Sequence, residues 1–235
     1  MALPKLENPK HECILPASGQ KVYYRPFLVG EQKVLLIAQE SEDANQQIRE
    51  MIRMINVCCD DVTAEKLASI DLEYLFLQIR IKSVGETSDV MMECNKCKEE
   101  NQLSINLESA ETFREGEEVD HIIKLTPKIS LDLYYPTYQI IQQLDANKTE
   151  DPREVFSVVA KCINAVIDGD EIHTRDDFTD KELVAFLDSM SMEMFEDIQK
   201  FFSAAPILQI KHTFVCKKCE VTNNLELKGV GSFFG

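Results

Sequence analysis

Two tight cysteine pairs carry the most specific chemistry in this sequence: Cys94-Asn95-Lys96-Cys97 and Cys216-Lys217-Lys218-Cys219. Tetrahedral zinc takes four thiolates, and two residues between paired cysteines let one turn aim both sulfurs at a single ion. Each pair runs on into residues that read as strand, Gln102-Leu103-Ser104-Ile105-Asn106-Leu107 after the first and Asn224-Leu225-Glu226-Leu227 after the second. Each therefore reads as half of one structural zinc site with Cys94, Cys97, Cys216 and Cys219 as ligands. Backbone N–H groups in the turns, with Lys96, Lys98, Lys217 and Lys218 around them, would offset the thiolate charge. The 118 residues from 98 to 215 separate the halves. A conventional ribbon has a much shorter gap, so a helical segment is expected inside it. The competing reading is a redox dithiol or independent exposed thiols. A thioredoxin-like pair opens a helix after a strand in a βαβ unit, and neither pair here does so. The same four sulfurs would also suit another thiophilic ion.

Other chemistry is weaker. The histidines His11, His121, His173 and His212 show no helix-face metal spacing, and His212 would be surplus beside four thiolates. No phosphate loop, nucleophile elbow or H-E-x-x-H occurs. Asp168-Gly169-Asp170-Glu171 resembles a fragment of a calcium loop but lacks the later ligands, and reads as a surface turn. With four protein ligands on the ion, no position stays open for a substrate. No enzyme activity, catalytic residue or small-molecule substrate is expected.

The elements that must position the cysteines follow from the rest of the chain. With 235 residues, 44% of them hydrophobic, it can bury a sizeable core. A formal charge of −16 argues against a nucleic-acid backbone as main partner; such a protein either stays soluble alone or meets a basic partner surface. No apolar run reaches membrane-spanning length and no signal-type segment follows Met1, so the cytoplasm is the expected compartment, where cysteines are reduced or metal-bound. Cys13, Cys58, Cys59 and Cys162 are expected as small buried hydrophobes.

Residues 12–15 and 21–27 read as a hairpin around Ala17-Ser18-Gly19-Gln20. Helices are expected over Glu31–Ser41, behind Asp43 with the stripe Ala44, Ile48, Met51, Ile52, Ile55 and Cys58, and behind Asp71 with Leu72, Leu75, Phe76 and Ile79, ending at Gly85. The acidic stretch Glu108 to Asp120 reads as a solvated loop. His121 to Leu133 reads as one edge strand broken at Pro127. A helical insert is expected over 136–203, with Asp151 as N-cap and Pro152 as first residue of a helix whose stripe runs from Val155 through Val166, a capping box of Thr179 and Glu182, and a last helix Met192–Phe202. The expected fold is α+β, in four segments: 1–87 hairpin and helices, 88–135 first half of a zinc ribbon, 136–205 helical insert, and 206–235 second half with a glycine-punctuated tail.

The run Leu15-Pro16-Ala17-Ser18-Gly19-Gln20-Lys21-Val22-Tyr23-Tyr24-Arg25-Pro26-Phe27-Leu28-Val29, then Glu40-Ser41, and above all Asp71-Leu72-Glu73-Tyr74-Leu75-Phe76-Leu77-Gln78-Ile79-Arg80-Ile81-Lys82-Ser83-Val84-Gly85-Glu86, resemble the baseplate hub assembly proteins of T-even-like contractile-tailed bacteriophages. The match covers roughly the first half of the chain, through the first cysteine pair. The second half matches only in its order of helices and its closing C-x-x-C. The resemblance implies a late viral protein of the infected host's cytoplasm that assembles the baseplate hub, as chaperone or scaffold, through contacts with hub proteins. It brings no catalytic residues. A permanent structural subunit of the virion is the alternative, and a nucleic-acid-binding ribbon, disfavoured by the charge, a second. Candidate partner contacts are Tyr23, Tyr24, Arg25 and Phe27, the methionines 190, 192 and 194 with Phe195, and the terminal pair Phe233 and Phe234. Met190 and Met194 share a helix face, which favours internal packing for them.

Overall fold

The structure, a computed structural model, describes residues 8–33, 44–114, 116–142 and 152–233. Most of the helix expected over Glu31–Ser41, the caps Asp43 and Asp151, and Phe234 lie outside these residues, and nothing is described of the Phe233 side chain. The protein is mixed α and β, and every strand pairing among the described residues is antiparallel. Two compact units divide it. One comprises residues 1–64, 70–113 and 207–235, and the other 65–69 and 114–206.

The first unit opens with the hairpin of β1 (His11–Ile14) and β2 (Lys21–Tyr24). Gly19 supplies the left-handed residue its loop needs, at φ +66°. Helix α1 (Ala44–Cys58) buries Met51, Ile55 and Cys58 of the stripe expected of it, together with Met54, while Ile48 and Ile52 are only half-buried. Helix α2 (Ser69–Val84) goes further than expected. Besides Leu72, Leu75, Phe76 and Ile79 it buries Ile70, Leu77 and Ile81, so apolar contact surrounds most of the helix. It ends at Gly85, whose φ is +114° and whose N–H donates to the Ile81 carbonyl. Strands β3 (Thr87–Glu93) and β4 (Glu100–Asn106) follow as a second hairpin.

Asp71 does not cap α2 as its position suggested. It lies buried inside the first turn, where its carboxylate accepts from the N–H groups of Ala17 at 2.7 Å and Ser18 at 3.1 Å. The side chain thus fastens the loop of the first hairpin to the central helix. Asp71→Ala would strand both donors, and a loss of about 1–3 kcal/mol in unfolding free energy is expected. Asp71→Asn keeps one acceptor oxygen and should lose less; urea denaturation of the two variants checks the difference.

Within the acidic stretch, Glu111–Phe113 form a strand, β5, in place of the expected loop, though all three residues are exposed. The chain then enters the second unit. Here β6 (Ile122–Lys124) and β7 (Ile129–Leu133) replace the single strand expected over 121–133, with Pro127 in the turn between them. Helices α3 (Tyr138–Gln142) and α4 (Pro152–Lys161) lead to β8 (Ile163–Asp168) and β9 (Glu171–Thr174). The apolar stripe read as one helix to Val166 therefore stops at Lys161. The β-branched run that follows joins β7, and Gly169 with φ +64° turns it back as a two-residue hairpin. The insert is thus not wholly helical: it adds β8 and β9 to a sheet of the order β6-β7-β8-β9. Helix α5 (Asp180–Asp188) begins at the predicted capping box of Thr179 and Glu182. Helix α6 (Met192–Ser203) buries Phe195, Ile198 and Phe201.

The chain returns to the first unit through β10 (Ile207–Val215) and β11 (Thr222–Lys228), which pair with each other, while β10 also pairs with β5.

Candidate metal centre

Each cysteine pair occupies the turn of a hairpin, and the two turns are built alike. Glu93 pairs with Glu100 just before the first, and Val215 with Thr222 just before the second. In the first, the Cys94 N–H donates to the Glu99 carbonyl at 2.9 Å and the Lys98 N–H to the Cys94 carbonyl at 3.0 Å. In the second, Cys216 donates to Val221 and Glu220 to Cys216, each at 3.0 Å. The residue after the second cysteine is left-handed in both, Lys98 at φ 58° and Glu220 at φ 56°. These non-glycine residues carry the cost of that conformation at matching places.

The sulfurs converge as the spacing predicted. Cys94 lies 3.6 Å from Cys219 and Cys97 3.6 Å from Cys216, and all four ligand atoms fall within 4.8 Å of one another. A tetrahedron of sulfurs about 2.3 Å from an ion has edges of about 3.8 Å, whereas a disulfide would draw two sulfurs to about 2.05 Å. The set fits a thiophilic metal ion. Cys94 and Cys216 are wholly buried, at 0% and 1% exposure, and Cys97 and Cys219 are half-buried. His212 takes no part: among the described residues this ligand cluster consists of the four cysteines.

Electrostatics favour a cation here. The Cys94 thiol is drawn down to about 6, first by the Cys97 N–H and then, against burial, by the Lys96 N–H, the Asn223 amide and the Cys219 thiol. Cys216 is lowered in the same way, first by the Cys219 N–H and then by that of Lys218. Cys97 moves the other way, to about 12. The Glu99 N–H pulls it down, but burial and the sulfurs of Cys219, Cys216 and Cys94 together outweigh that. Four negative sulfurs at this spacing repel one another, and a bound cation would let all of them ionise. Outside the cluster, Glu99 takes Lys218 at 2.9 Å and Lys217 at 3.8 Å, so those two lysines serve a carboxylate.

Two residues of the centre escaped the sequence reading. Asn101 and Asn223, both buried, stand seven residues after the first cysteine of their own pairs, so Cys-x2-Cys-x3-Asn occurs twice in the chain. That repeat was the available signal. Each asparagine reaches across to the other pair: Asn223 donates to the Cys94 sulfur at 3.6 Å and Asn101 to the Cys216 sulfur at 3.8 Å.

Of the remaining cysteines, Cys58, Cys59 and Cys162 are buried as expected, whereas Cys13 is only half-buried. Burial pushes Cys13 and Cys58 up to about 11 and Cys59 and Cys162 up to about 12.

The aromatic segment after the first hairpin divides. Tyr24 and Phe27 are buried in the core. Arg25 is held internally: it donates to Glu31 at 2.7 and 3.0 Å, to the Pro26 carbonyl at 2.9 Å and to the Val57 carbonyl at 3.2 Å. Tyr23 is 49% exposed. The Arg25 guanidinium, with the Leu28 N–H, holds Glu31 below its usual value of 4.5. A depressed carboxylate stabilises the fold above that value and loses the contribution as pH falls through the folded-state value. The stability gap between the wild type and Glu31→Gln should therefore be about 1 kcal/mol at neutral pH, given the partial exposure of the pair. It should close below pH 4.5, as followed by thermal unfolding at a series of pH values. Of the methionines, Met192 projects from α6 at 75% exposure, whereas Phe195 is buried and stacks on Phe156 at 4.6 Å.

The sequence model of the family described as T4 bacteriophage base plate protein matches residues 8–235. No curated protein and no solved structure matches the chain.

Proposed function

Because the chain belongs to the T4 bacteriophage base plate protein family, we propose that it assembles the baseplate hub as a chaperone or scaffold, held in shape by a structural zinc ion. The family match carries this reading, since it supports a role at the phage baseplate. The four-sulfur cluster supplies the zinc part: Cys94, Cys97, Cys216 and Cys219 would hold the ion in a zinc-ribbon arrangement. All four positions would be protein ligands, which gives the ion a structural role and leaves it no place for substrate.

Contact with hub proteins is supported by what the surface of the first unit offers. An open groove of about 580 Å³ is lined by Lys10, His11, Tyr23, Gln78 and Lys82 among others. Ile14 and Met91 expose apolar side chains elsewhere on the same unit. An exposed tyrosine beside a polar groove suits a protein partner. The strongly acidic chain suits a basic hub surface better than nucleic acid. The protein acts as a binder and not as an enzyme, in the cytoplasm of the infected host.

Quantitative mass spectrometry of the tagged protein in baseplate intermediates and in finished particles tests this. Enrichment with hub subunits in intermediates and loss from particles is the expected result. Retention at fixed stoichiometry would overturn the assembly-factor reading in favour of a permanent subunit.

A further inference from the structure

We propose that Asn101 and Asn223 are positioning residues of the metal centre, each holding the buried sulfur of the opposite hairpin in the orientation that ligates the ion. The inference rests on the metal-centre reading above and concerns residues that no family motif or spacing rule assigns.

The exchange is reciprocal and uses the whole amide. Asn223 Oδ1 accepts from the Asn95 N–H at 2.9 Å, and its Nδ2 donates to the Val221 carbonyl at 2.9 Å and to Cys94 Sγ at 3.6 Å. Asn101 Oδ1 accepts from the Lys217 N–H at 3.0 Å, and its Nδ2 donates to the Glu99 carbonyl at 2.8 Å and to Cys216 Sγ at 3.8 Å. Each side chain thus spends one N–H on its own turn, the other on the opposite sulfur, and its oxygen on the opposite turn's backbone. The supporting strands match as well: β4 and β11 alternate burial identically, with the asparagine second in both. Two copies of one hairpin therefore face each other around the sulfurs, each latched by the other's amide.

Chemistry explains why the residue is asparagine. A buried amide is costly unless every polar atom finds a partner, and here each does. An aspartate could still accept from the opposite N–H, but it could not donate to sulfur and would add negative charge beside the thiolates. Groups outside the ligand shell that orient ligands in this way commonly change metal affinity by about 10–100-fold when removed. The two sulfurs served are Cys94 and Cys216, the fully buried pair.

The test uses the full chain, with Zn2+ affinity measured by competition with a chromophoric chelator and Co2+ as spectroscopic probe. Asn101→Asp and Asn223→Asp should each weaken Zn2+ binding about 10–100-fold and alter the thiolate-to-Co2+ charge-transfer band. Asn224→Asp, at an exposed neighbouring position, should leave both at wild-type values. If the aspartate variants do not fold, Asn101→Ser and Asn223→Ser carry the same expectation. Wild-type affinity and an unaltered Co2+ spectrum in the asparagine variants, with only the metal-free stability reduced, would overturn the inference and leave the metal centre standing. A wild type that binds neither ion at one equivalent would overturn both.

Discussion

If the proposed ion is bound, stripping it with a chelator is expected to destabilise the cysteine-bearing unit of the full chain, and Cys94→Ser or Cys216→Ser to reproduce most of that loss. The physical case is linkage. An ion that binds the folded arrangement and not the unfolded chain stabilises it by about 4 kcal/mol when free metal stands a thousandfold above the dissociation constant. For a chain of this size that corresponds to a fall of about 8–16 °C in Tm. The cluster is placed to have such an effect because 118 residues lie between its two halves in the chain. Closing so long a loop without the ion must be achieved by strand pairing and core packing alone. Acid should act like the chelator, because each ligating sulfur must lose its proton and protons compete with the ion as pH falls. Differential scanning calorimetry with and without chelator, at several pH values, together with metal content by mass spectrometry, checks all of this. Serine variants that keep their metal and their Tm would sink the structural role.

Phe201→Ala should be the most damaging single core change in the second unit, at about 3–5 kcal/mol. Phe201 is 2% exposed. Its ring stacks on Tyr135 with centroids 4.5 Å apart and planes 3° from parallel, and meets Phe202 edge-on at 5.1 Å. Truncation removes both ring contacts and leaves a cavity that the helix α6 backbone cannot close without shifting. Phe202 is only half-buried, so Phe202→Ala should lose less than half as much. Urea denaturation followed by far-UV circular dichroism measures both. Equal losses would mean that the stack on Tyr135 contributes nothing beyond area.

What the sequence determined by itself is what depends on neighbours in the chain. The four clustered cysteines could be named because C-x-x-C in a strand-flanked turn is a local geometry. The Thr179 and Glu182 box that opens α5, Gly85 at the end of α2, and the apolar stripes of α1 and α2 belong to the same class. Membership of a baseplate protein family was legible too, in the residues from Leu15 to Glu86. Tertiary structure decided everything that required knowing which distant segments meet. Val166 fits a helical stripe as well as a strand, and only its pairing with Leu131 and His173 settles it as strand. Glu111 to Phe113 reads as acidic loop until β10 offers its edge. Asp71 has the sequence position of a cap, yet the hairpin loop that lies over it takes its carboxylate. Asn101 and Asn223 show the division most clearly. Their repeat is visible in the chain, but each serves the other hairpin's sulfur, and a hydrogen bond spanning more than a hundred residues leaves no local periodicity to read.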